Sequence, residues 1–256
     1  MARPRILVLR APGINCDEET VFAWQRAGAD CDLVHVKQLI AAPDSLARYQ
    51  LLTIPGGFSY GDDIASGKLL ANQLSHHLGD QLRAFVDRGG LVLGICNGFQ
   101  VLVRMGLLPG DDCGVRATLA LNASGRYENR WVRLRATENC RCAFVEPGEE
   151  FDLPVGHGEG RLVFDGDDES AKQLRAMGRI TLEYISLTVA APVYPENPNG
   201  SIGNAAALTD ATGRVFGLMP HPDRHLFATQ SPGQNRDFNA ETAGARFFRR
   251  VVDRLR

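Results

Sequence analysis

Short apolar runs alternate with helix-like segments over the first hundred residues, and this alternation constrains the fold more than any other feature of the sequence. Four runs are predicted to be buried strands, at residues 6–9, 31–36, 51–54 and 91–93. The longest helical pattern among them covers residues 69–87. Continuous apolar strands that alternate with helices are typical of parallel sheets covered on both faces. The sequence therefore predicts an α/β fold with a doubly wound, mostly parallel sheet, in which functional sites lie beyond the carboxyl ends of the strands.

The remainder of the chain contains shorter and more interrupted elements. Strand-like pieces at residues 131–134 and 161–164, and an acidic turn at 165–169, are predicted to be antiparallel decorations of the same domain, because no Gly/Ser/Pro-rich linker separates them from the first part. A final helix is predicted over residues 240–255 from apolar side chains at four-residue steps. We therefore expect residues 1–256 to form a single domain.

The charge balance and the hydrophobicity exclude several classes of protein. Lys and Arg number 28 and Asp and Glu number 30, so the formal net charge is −2, which argues against a basic nucleic-acid-binding protein. A hydrophobic fraction of 44% argues against a disordered chain. No apolar stretch approaches the ~20 residues that a membrane helix needs, and six scattered cysteines in a chain of this size suggest reduced thiols. We expect a cytoplasmic protein that binds neither a membrane nor nucleic acid.

Residues 91–100 carry the strongest chemical signal. A predicted strand runs into the sequence Gly94-Ile-Cys-Asn-Gly98, and a predicted helix follows at once. This G-x-C-x-G pattern is a cysteine form of the nucleophile elbow, in which the nucleophile sits on a strained turn and the flanking glycines let the backbones pass closely. The helix N-terminus lowers the thiol pKa and offers free N–H groups to an oxyanion. Cys96 is therefore a candidate nucleophile, although a buried cysteine in an ordinary strand–helix connection has the same spacing.

A nucleophilic cysteine needs a base and a group that orients the base. The segment Phe216-Gly-Leu-Met-Pro-His-Pro-Asp223 is predicted to be an apolar strand that ends in a histidine and, two residues on, a carboxylate. Pro222 stiffens the tripeptide, and an extended backbone places His221 and Asp223 on the same side. Together with Cys96 they satisfy the logic of a catalytic triad. A strand-terminal histidine beside a surface aspartate is the alternative for this segment taken alone.

A glycine-rich segment, Pro55-Gly-Gly-Phe-Ser-Tyr-Gly-Asp62, follows a neighbouring predicted strand. Such a turn can direct a backbone N–H at the same oxyanion, and Gly57 is the candidate donor. A phosphate-binding P-loop is excluded, because five residues rather than four separate Gly61 from Gly67 and Leu69 replaces the Ser/Thr.

No metal site is predicted. His221 and His225 have i,i+4 spacing, but the sequence suggests no third ligand. Only one residue separates Cys140 from Cys142, whereas two residues separate paired zinc ligands. The sequence also has no second cysteine pair that could complete such a site. His157 is framed by glycines, so it is either a functional contact or part of a structural turn, and both interpretations stay open.

With these residues assembled, the chain resembles the class I, or triad, glutamine amidotransferases, and within them the glutaminase subunits of phosphoribosylformylglycinamidine synthase. The elbow and the His-Pro-acid segment point to the triad class, whereas the Gly-Gly-Phe-Ser-Tyr-Gly-Asp, His-Gly-Glu-Gly and Asn-Pro-Asn-Gly-Ser runs point to this subunit. The matching segments follow the family's order over nearly the whole chain: Ala11-Pro-Gly-Ile-Asn-Cys-Asp17, Pro55-Gly-Gly-Phe-Ser-Tyr-Gly-Asp62, Gly94-Ile-Cys-Asn-Gly-Phe-Gln100, Gly106-Leu-Leu-Pro-Gly110, His157-Gly-Glu-Gly160, Asn197-Pro-Asn-Gly-Ser201 and Gly217-Leu-Met-Pro-His-Pro-Asp-Arg224.

The resemblance implies a flavodoxin-like sheet and the hydrolysis of L-glutamine to glutamate and ammonia through a thioester on the nucleophile. It assigns roles to seven residues: Cys96 as nucleophile, His221 as base and then acid, Asp223 as the orienting carboxylate, Gly57 and Asn97 as backbone oxyanion donors, and Gln100 and Phe58 as substrate contacts. It also implies that the ammonia passes to a separate synthetase subunit, which uses ATP and Mg to convert formylglycinamide ribonucleotide to formylglycinamidine ribonucleotide. A small third subunit would bridge the two, and this chain itself would need no cofactor.

The chain departs from the family at the carboxylate, because Asp223 stands where the family usually has Glu. The side chain is one methylene shorter, and catalytic groups are sensitive to displacements of about 1 Å. Two alternatives to an active glutaminase therefore stay open. One is a cysteine hydrolase of the DJ-1/PfpI type, although those proteins typically carry His directly after the nucleophile, where this chain has Asn97. The other is a catalytically silent subunit retained for assembly.

Overall fold

Most of the strands lie in one large sheet. The computed structural model describes residues 2–188, 191–232 and 239–256. In these residues the strands are β1 (Arg5–Arg10), β2 (Asp30–His35), β3 (Leu51–Ile54), β4 (Leu91–Ile95), β5 (Ala117–Ala120), β6 (Glu128–Ala136), β7 (Glu150–His157), β8 (Arg161–Phe164), β9 (Ile180–Tyr184), β10 (Ala205–Thr209) and β11 (Val215–Leu218). The helices are α1 (Asp17–Arg26), α2 (Val36–Ala41), α3 (Lys68–Asp87), α4 (Asn97–Arg104), α5 (Asp167–Ala176) and α6 (Ala243–Leu255).

The large sheet has the strand order β2-β1-β3-β4-β11-β10-β9-β6-β7, and β5 and β8 pair separately. The five strands from β2 to β11 are parallel, and the four that continue the sheet are antiparallel. The step from β1 to β2 runs toward one edge of the sheet, and the step from β3 to β4 runs toward the opposite edge. Because such crossovers are right-handed, the connecting helices lie on opposite faces. The predicted α/β class, doubly wound sheet and antiparallel additions are confirmed.

The apolar runs form strands because both of their faces are covered. In β1 and β3 the four residues of each predicted run have at most 1% of their surface exposed, with Thr53 as the polar member of the second run. Helix α1 packs against α6, and α3 packs against α4. At the first of these contacts Trp24 meets Phe248 edge to face, with ring centroids 4.6 Å apart, and the indole N–H donates to the Thr53 hydroxyl at 3.0 Å.

Several predicted elements have different bounds in the structure, and two of the differences have a clear local cause. The acidic segment predicted as a turn is the start of α5, and three acidic residues occupy the first turn of that helix. Negative side chains at a helix N-terminus interact favourably with the helix dipole, which explains why this charge cluster begins a helix rather than only a turn. The last helix begins at Ala243, where the Thr242 hydroxyl accepts a hydrogen bond from the N–H of Ala245. Within the described residues, no helix combines the length and the apolar character needed to cross a membrane.

Candidate active site

Three neighbouring parallel strands end at the same edge of the sheet, and each delivers one predicted part of the site. Strand β3 leads into the glycine-rich segment, β4 ends directly before Cys96, and β11 ends three residues before His221. This edge is the carboxyl end of the parallel strands, where ligands bind in doubly wound folds. The sheet topology therefore brings together residues that are far apart in sequence.

Cys96 lies on a strained elbow between β4 and α4. Its backbone has φ 51° and ψ −104°, a conformation that residues with a side chain rarely adopt. A Cβ atom at Gly94 would lie 2.6 Å from the carbonyl oxygen of Gly98, and one at Gly98 would overlap the carbonyl oxygen of Ile54. The glycines two positions before and after the cysteine are therefore required by backbone packing. The thiol is buried, and its Sγ lies 3.7 Å from the carbonyl oxygen of Gly156.

His221 and Asp223 form a buried pair beside this elbow. The imidazole Nδ1 is 3.2 Å from one carboxylate oxygen of Asp223 and 3.4 Å from the other, so an Nδ1–H donor serves both. The residues from Pro222 to Arg224 form one 3₁₀ turn, so the predicted extended geometry is wrong. This turn brings the short aspartate side chain back to the imidazole that precedes it. The shorter carboxylate thus keeps its contact with His221.

The charge state of His221 depends on its two neighbours. Burial disfavours the charged imidazole, but the Asp223 carboxylate and the negative charge of a Cys96 thiolate outweigh burial and raise the pKa of His221 to about 9. The other ring nitrogen, Nε2, is buried and has no hydrogen-bond partner among the described residues. This arrangement suits a histidine that takes a proton from a thiol.

We expect the free energy of unfolding to fall as the pH rises from about 6.5 to about 9. The folded-state pKa of His221 is above the ordinary value of 6.5, so its contribution to stability is complete below that value and is lost as the pH rises through about 9. Asp223→Asn removes the main favourable charge and should flatten this part of the curve. Urea denaturation of both proteins between about pH 6 and pH 10 measures the effect. Parallel curves for the two proteins would contradict it.

Two backbone N–H groups near Cys96 are free to bind an oxyanion. Asn97 is the first residue of α4, so its N–H has no partner inside the helix. Within the described part of the chain, no group accepts a hydrogen bond from the N–H of Gly57. Gly57 has φ 141°, and a Cβ there would lie 2.7 Å from the backbone nitrogen of Asn15. The assignment of Gly57 and Asn97 as oxyanion donors stays a prediction.

Gly56 is a site residue that the sequence analysis missed. A Cβ atom at this position would lie 2.7 Å from Cε1 of His221, 3.3 Å from Sγ of Cys16 and 3.5 Å from Cβ of Cys96. The absence of a side chain therefore leaves room for the imidazole beside the thiol. In the sequence, the Gly56-Gly57 pair indicates that another group lies close to the backbone. It does not indicate which glycine contacts which group.

The two predicted substrate contacts are placed differently. Phe58 is 45% exposed, next to the glycine pair. Gln100 is buried, and both ends of its amide are occupied: Oε1 accepts from Asn97 Nδ2 at 2.9 Å and Nε2 donates to the carbonyl of Glu159 at 2.5 Å. Contact with substrate stays a prediction for both residues, and for Gln100 it would require exchange of these hydrogen bonds.

His157 ends strand β7, which the sequence analysis did not identify as a strand. The backbone N–H of His221 donates to the carbonyl of Pro154 at 2.8 Å, so this strand lies against the site. The His157 ring is buried, and its Nδ1 is 3.1 Å from Oδ1 of Asn122. Burial and then the neighbouring charge of His221 lower the pKa of His157 to about 4. A Cβ at Gly160 would overlap this ring, so the flanking glycine makes room for a neutral histidine.

One cluster, which adds Cys16 to two of the predicted residues, has donor atoms of the metal-binding type. Atoms of Cys16, His221 and Asp223 lie within 4.8 Å of one another. The guanidinium of Arg224 donates to Cys16 Sγ at 3.1 Å, and a positive charge at this distance disfavours a cation. The ring nitrogens of His225 face the Asp152 carbonyl at 2.8 Å and the Ser231 hydroxyl at 2.7 Å. The alternative of a His221/His225 metal pair therefore has no support in this geometry.

The chain is similar in sequence to known glutamine amidotransferases. A sequence profile described as a CobB/CobQ-like glutamine amidotransferase domain matches residues 3–253. The chain is 42% identical to the phosphoribosylformylglycinamidine synthase subunit PurQ of Dehalococcoides mccartyi, over 91% of this chain and 89% of that protein. It is 38% identical to the subunit of the same name from Archaeoglobus fulgidus, over 98% and 97% of the two chains.

The solved structures agree as well. One chain of the structure of PurLQS from Thermotoga maritima superposes with a TM-score of 0.74 and 30% identity, covering 100% of both chains. A glutamine amidotransferase from Methylobacillus flagellatus, at 15% identity and a TM-score of 0.52 over 100% of this chain and 94% of that one, shares the fold. The profile match and the sequence identities over most of the chain show that this protein belongs to the glutamine amidotransferase family and, within it, to the PurQ subunits of phosphoribosylformylglycinamidine synthase.

Proposed function

We propose that this chain is the glutaminase subunit of a phosphoribosylformylglycinamidine synthase, which hydrolyses L-glutamine to glutamate and ammonia. The observation that supports it most is the strained Cys96 elbow beside the buried His221–Asp223 pair, at the strand ends where ligands bind. Membership of the PurQ family supports the same reaction. A DJ-1/PfpI-type hydrolase finds no comparable support.

In the first step Cys96 gives its proton to Nε2 of His221, and the thiolate attacks the carboxamide carbon of glutamine. The Asp223 carboxylate holds Nδ1–H, which fixes the tautomer and stabilises the imidazolium that forms. The raised pKa of His221, about 9, favours the imidazolium form after this transfer.

The carbonyl oxygen of glutamine becomes an oxyanion, which the N–H groups of Gly57 and Asn97 would stabilise. His221 then donates its proton to the leaving nitrogen, and ammonia departs as the tetrahedral intermediate collapses to a γ-glutamyl thioester on Cys96. A water molecule that gives a proton to His221 attacks the thioester. The second intermediate collapses to glutamate and the free thiol.

The partners of the chain belong to the same proposal. The relatives are named as subunits of phosphoribosylformylglycinamidine synthase, and the Thermotoga maritima structure is of PurLQS. We infer that the ammonia passes to a synthetase subunit that uses ATP and Mg to convert formylglycinamide ribonucleotide to formylglycinamidine ribonucleotide, with a small bridging subunit between them. This chain would act as one domain, without a cofactor of its own, in the cytoplasm.

A glutamine-mimicking electrophile tests the proposal. We expect such a reagent to form a covalent adduct at Cys96, detected by mass spectrometry of peptides, and excess L-glutamine should protect the thiol. The buried Cys16 is an internal control, because burial raises its thiol pKa well above the ordinary range and it should stay unmodified. Labelling at another cysteine, or none even with the synthetase subunit present, would refute the assignment and favour a silent subunit.

A further inference from the structure

The side chain of Asn97 has no part in the mechanism, which uses only its backbone N–H. The side chain is completely buried, and all of its polar atoms have partners. Oδ1 accepts from the backbone N–H of Ser59 at 3.2 Å. Nδ2 donates to Oδ1 of Asp62 at 3.2 Å and to Oε1 of Gln100 at 2.9 Å. Two of these three contacts are to the glycine-rich loop that follows β3.

This loop needs support because part of its backbone is strained. Tyr60, Gly61 and Asp62 have φ values of 56°, 72° and 53°, and two of the three carry side chains. On one side the loop is held by the segment before α1: the N–H of Phe58 donates to the Gly13 carbonyl at 2.8 Å, and that of Tyr60 to the Pro12 carbonyl at 2.7 Å. On the other side the loop is held by the side-chain amide of Asn97, which belongs to the elbow.

The carboxylate of Asp62 is the second anchor of the loop. It accepts hydrogen bonds from the Ser66 hydroxyl at 3.0 Å and the Gly67 N–H at 3.2 Å, in addition to Asn97 Nδ2. Burial raises the pKa of this carboxyl group, and the three hydrogen bonds oppose that shift. Asn97 thus supplies a donor to a partly buried negative charge, where a lost donor is costly.

We infer that the side chain of Asn97 is a positioning residue that fixes the two oxyanion donors relative to each other. One donor is the N–H of Gly57, two residues before the Ser59 N–H that the amide binds. The other is the backbone N–H of Asn97 itself. A single residue therefore joins the loop that carries one donor to the helix that carries the other. This inference rests on the proposed glutaminase function.

Loss of the Asn97 amide should weaken stabilisation of the oxyanion and leave the reactivity of the Cys96 thiolate unchanged. Without the hydrogen bonds of the Asn97 side chain, the Gly57 N–H can move away from the oxyanion. Outright loss of such an oxyanion donor costs about 10²–10³ in kcat. A donor that is only misplaced should cost less, and we expect about a tenfold loss. Alkylation of Cys96 by iodoacetamide passes through no oxyanion, so its rate should stay unchanged.

Two variants test the inference. In Asn97→Leu, which has a similar shape and no amide, we expect kcat for glutamine to fall about tenfold, with KM and the iodoacetamide rate within about twofold of wild type. Asn97→Asp places a carboxylate against that of Asp62 and should lower kcat at least as much.

Asn72→Asp is the matched control, because Asn72 is exposed on α3, and its kcat should equal that of the wild type. Circular dichroism confirms that each variant is folded before its kinetics are compared. Wild-type kcat in N97L, or a parallel loss of kcat and alkylation rate, would overturn the inference. A wild-type chain without glutaminase activity, alone and with its synthetase subunit, would instead refute the proposed function.

Discussion

Cys96→Ala is expected to lower the turnover of glutamine by at least about 10⁴-fold, because the proposed thioester forms on this thiol. Cys96 lies on the strained elbow, next to the imidazole that would take its proton. Removal of the thiol leaves only the oxyanion donors and binding, which give a small residual rate. Hydrolysis of glutamine, followed by release of glutamate with the synthetase subunit present, measures the loss.

The control for this variant is Cys113→Ala. Cys113 is also buried, and its Sγ donates to the Gly110 carbonyl at 3.0 Å, outside the site described above. We expect its turnover to stay within about threefold of wild type, and the free energy of unfolding of both variants to fall by only about 1 kcal/mol. Substantial glutamine hydrolysis by C96A would assign the nucleophile to another residue.

The fold and the reactive residues could be predicted because their signals are local. The apolar run before Cys96 and the glycines on both sides of it are contiguous, and each glycine is required by a backbone contact inside that segment or with the neighbouring strand. His221 likewise follows an apolar strand, β11, which lies beside β4. Because β3, β4 and β11 are parallel, their carboxyl ends lie at one edge of the sheet, and these residues meet there.

Strand β7 could not be predicted, because its sequence contains a proline and a glycine at positions that usually interrupt strands. Pro154 is tolerated because β7 is the last strand of the sheet, where a missing N–H leaves no ladder bond unmade. The carbonyl of Pro154 then binds the N–H of His221, and that of Gly156 lies near Cys96. These contacts join residues that are 60 or more positions apart in the sequence, so no local pattern indicates them.

The distance between the imidazole of His221 and the carboxylate of Asp223 could not be predicted from the sequence either. An extended tripeptide and a 3₁₀ turn are both compatible with proline at the central position, because proline fixes only φ. The structure has the turn, and the carboxylate reaches Nδ1 at 3.2 Å despite its short side chain. The departure from the family's usual Glu is thus compatible with an oriented histidine.

Gly56→Ala is expected to lower kcat by at least about 100-fold, the largest effect we expect from a residue that makes no hydrogen bond to substrate. The added Cβ would lie 2.7 Å from Cε1 of His221, and the ring cannot move away freely because Asp223 holds its Nδ1. The imidazole must shift relative to Cys96, so the proton transfer and the thiolate pair are both impaired. Unlike the Asn97 variants, G56A should therefore also slow the alkylation of Cys96 by iodoacetamide.

Gly79→Ala is the matched control for this substitution, because nothing lies within 4 Å of a Cβ at that position on α3. Its kcat and its alkylation rate should equal those of the wild type. The methyl group at position 56 would also lie 3.3 Å from the thiol of Cys16 and 3.5 Å from Cβ of Cys96, which is close to ordinary packing, so the imidazole is the group that has to move. Wild-type kinetics in a folded G56A protein would mean that His221 takes a different position during turnover, and the geometric basis of the triad assignment would fail with it.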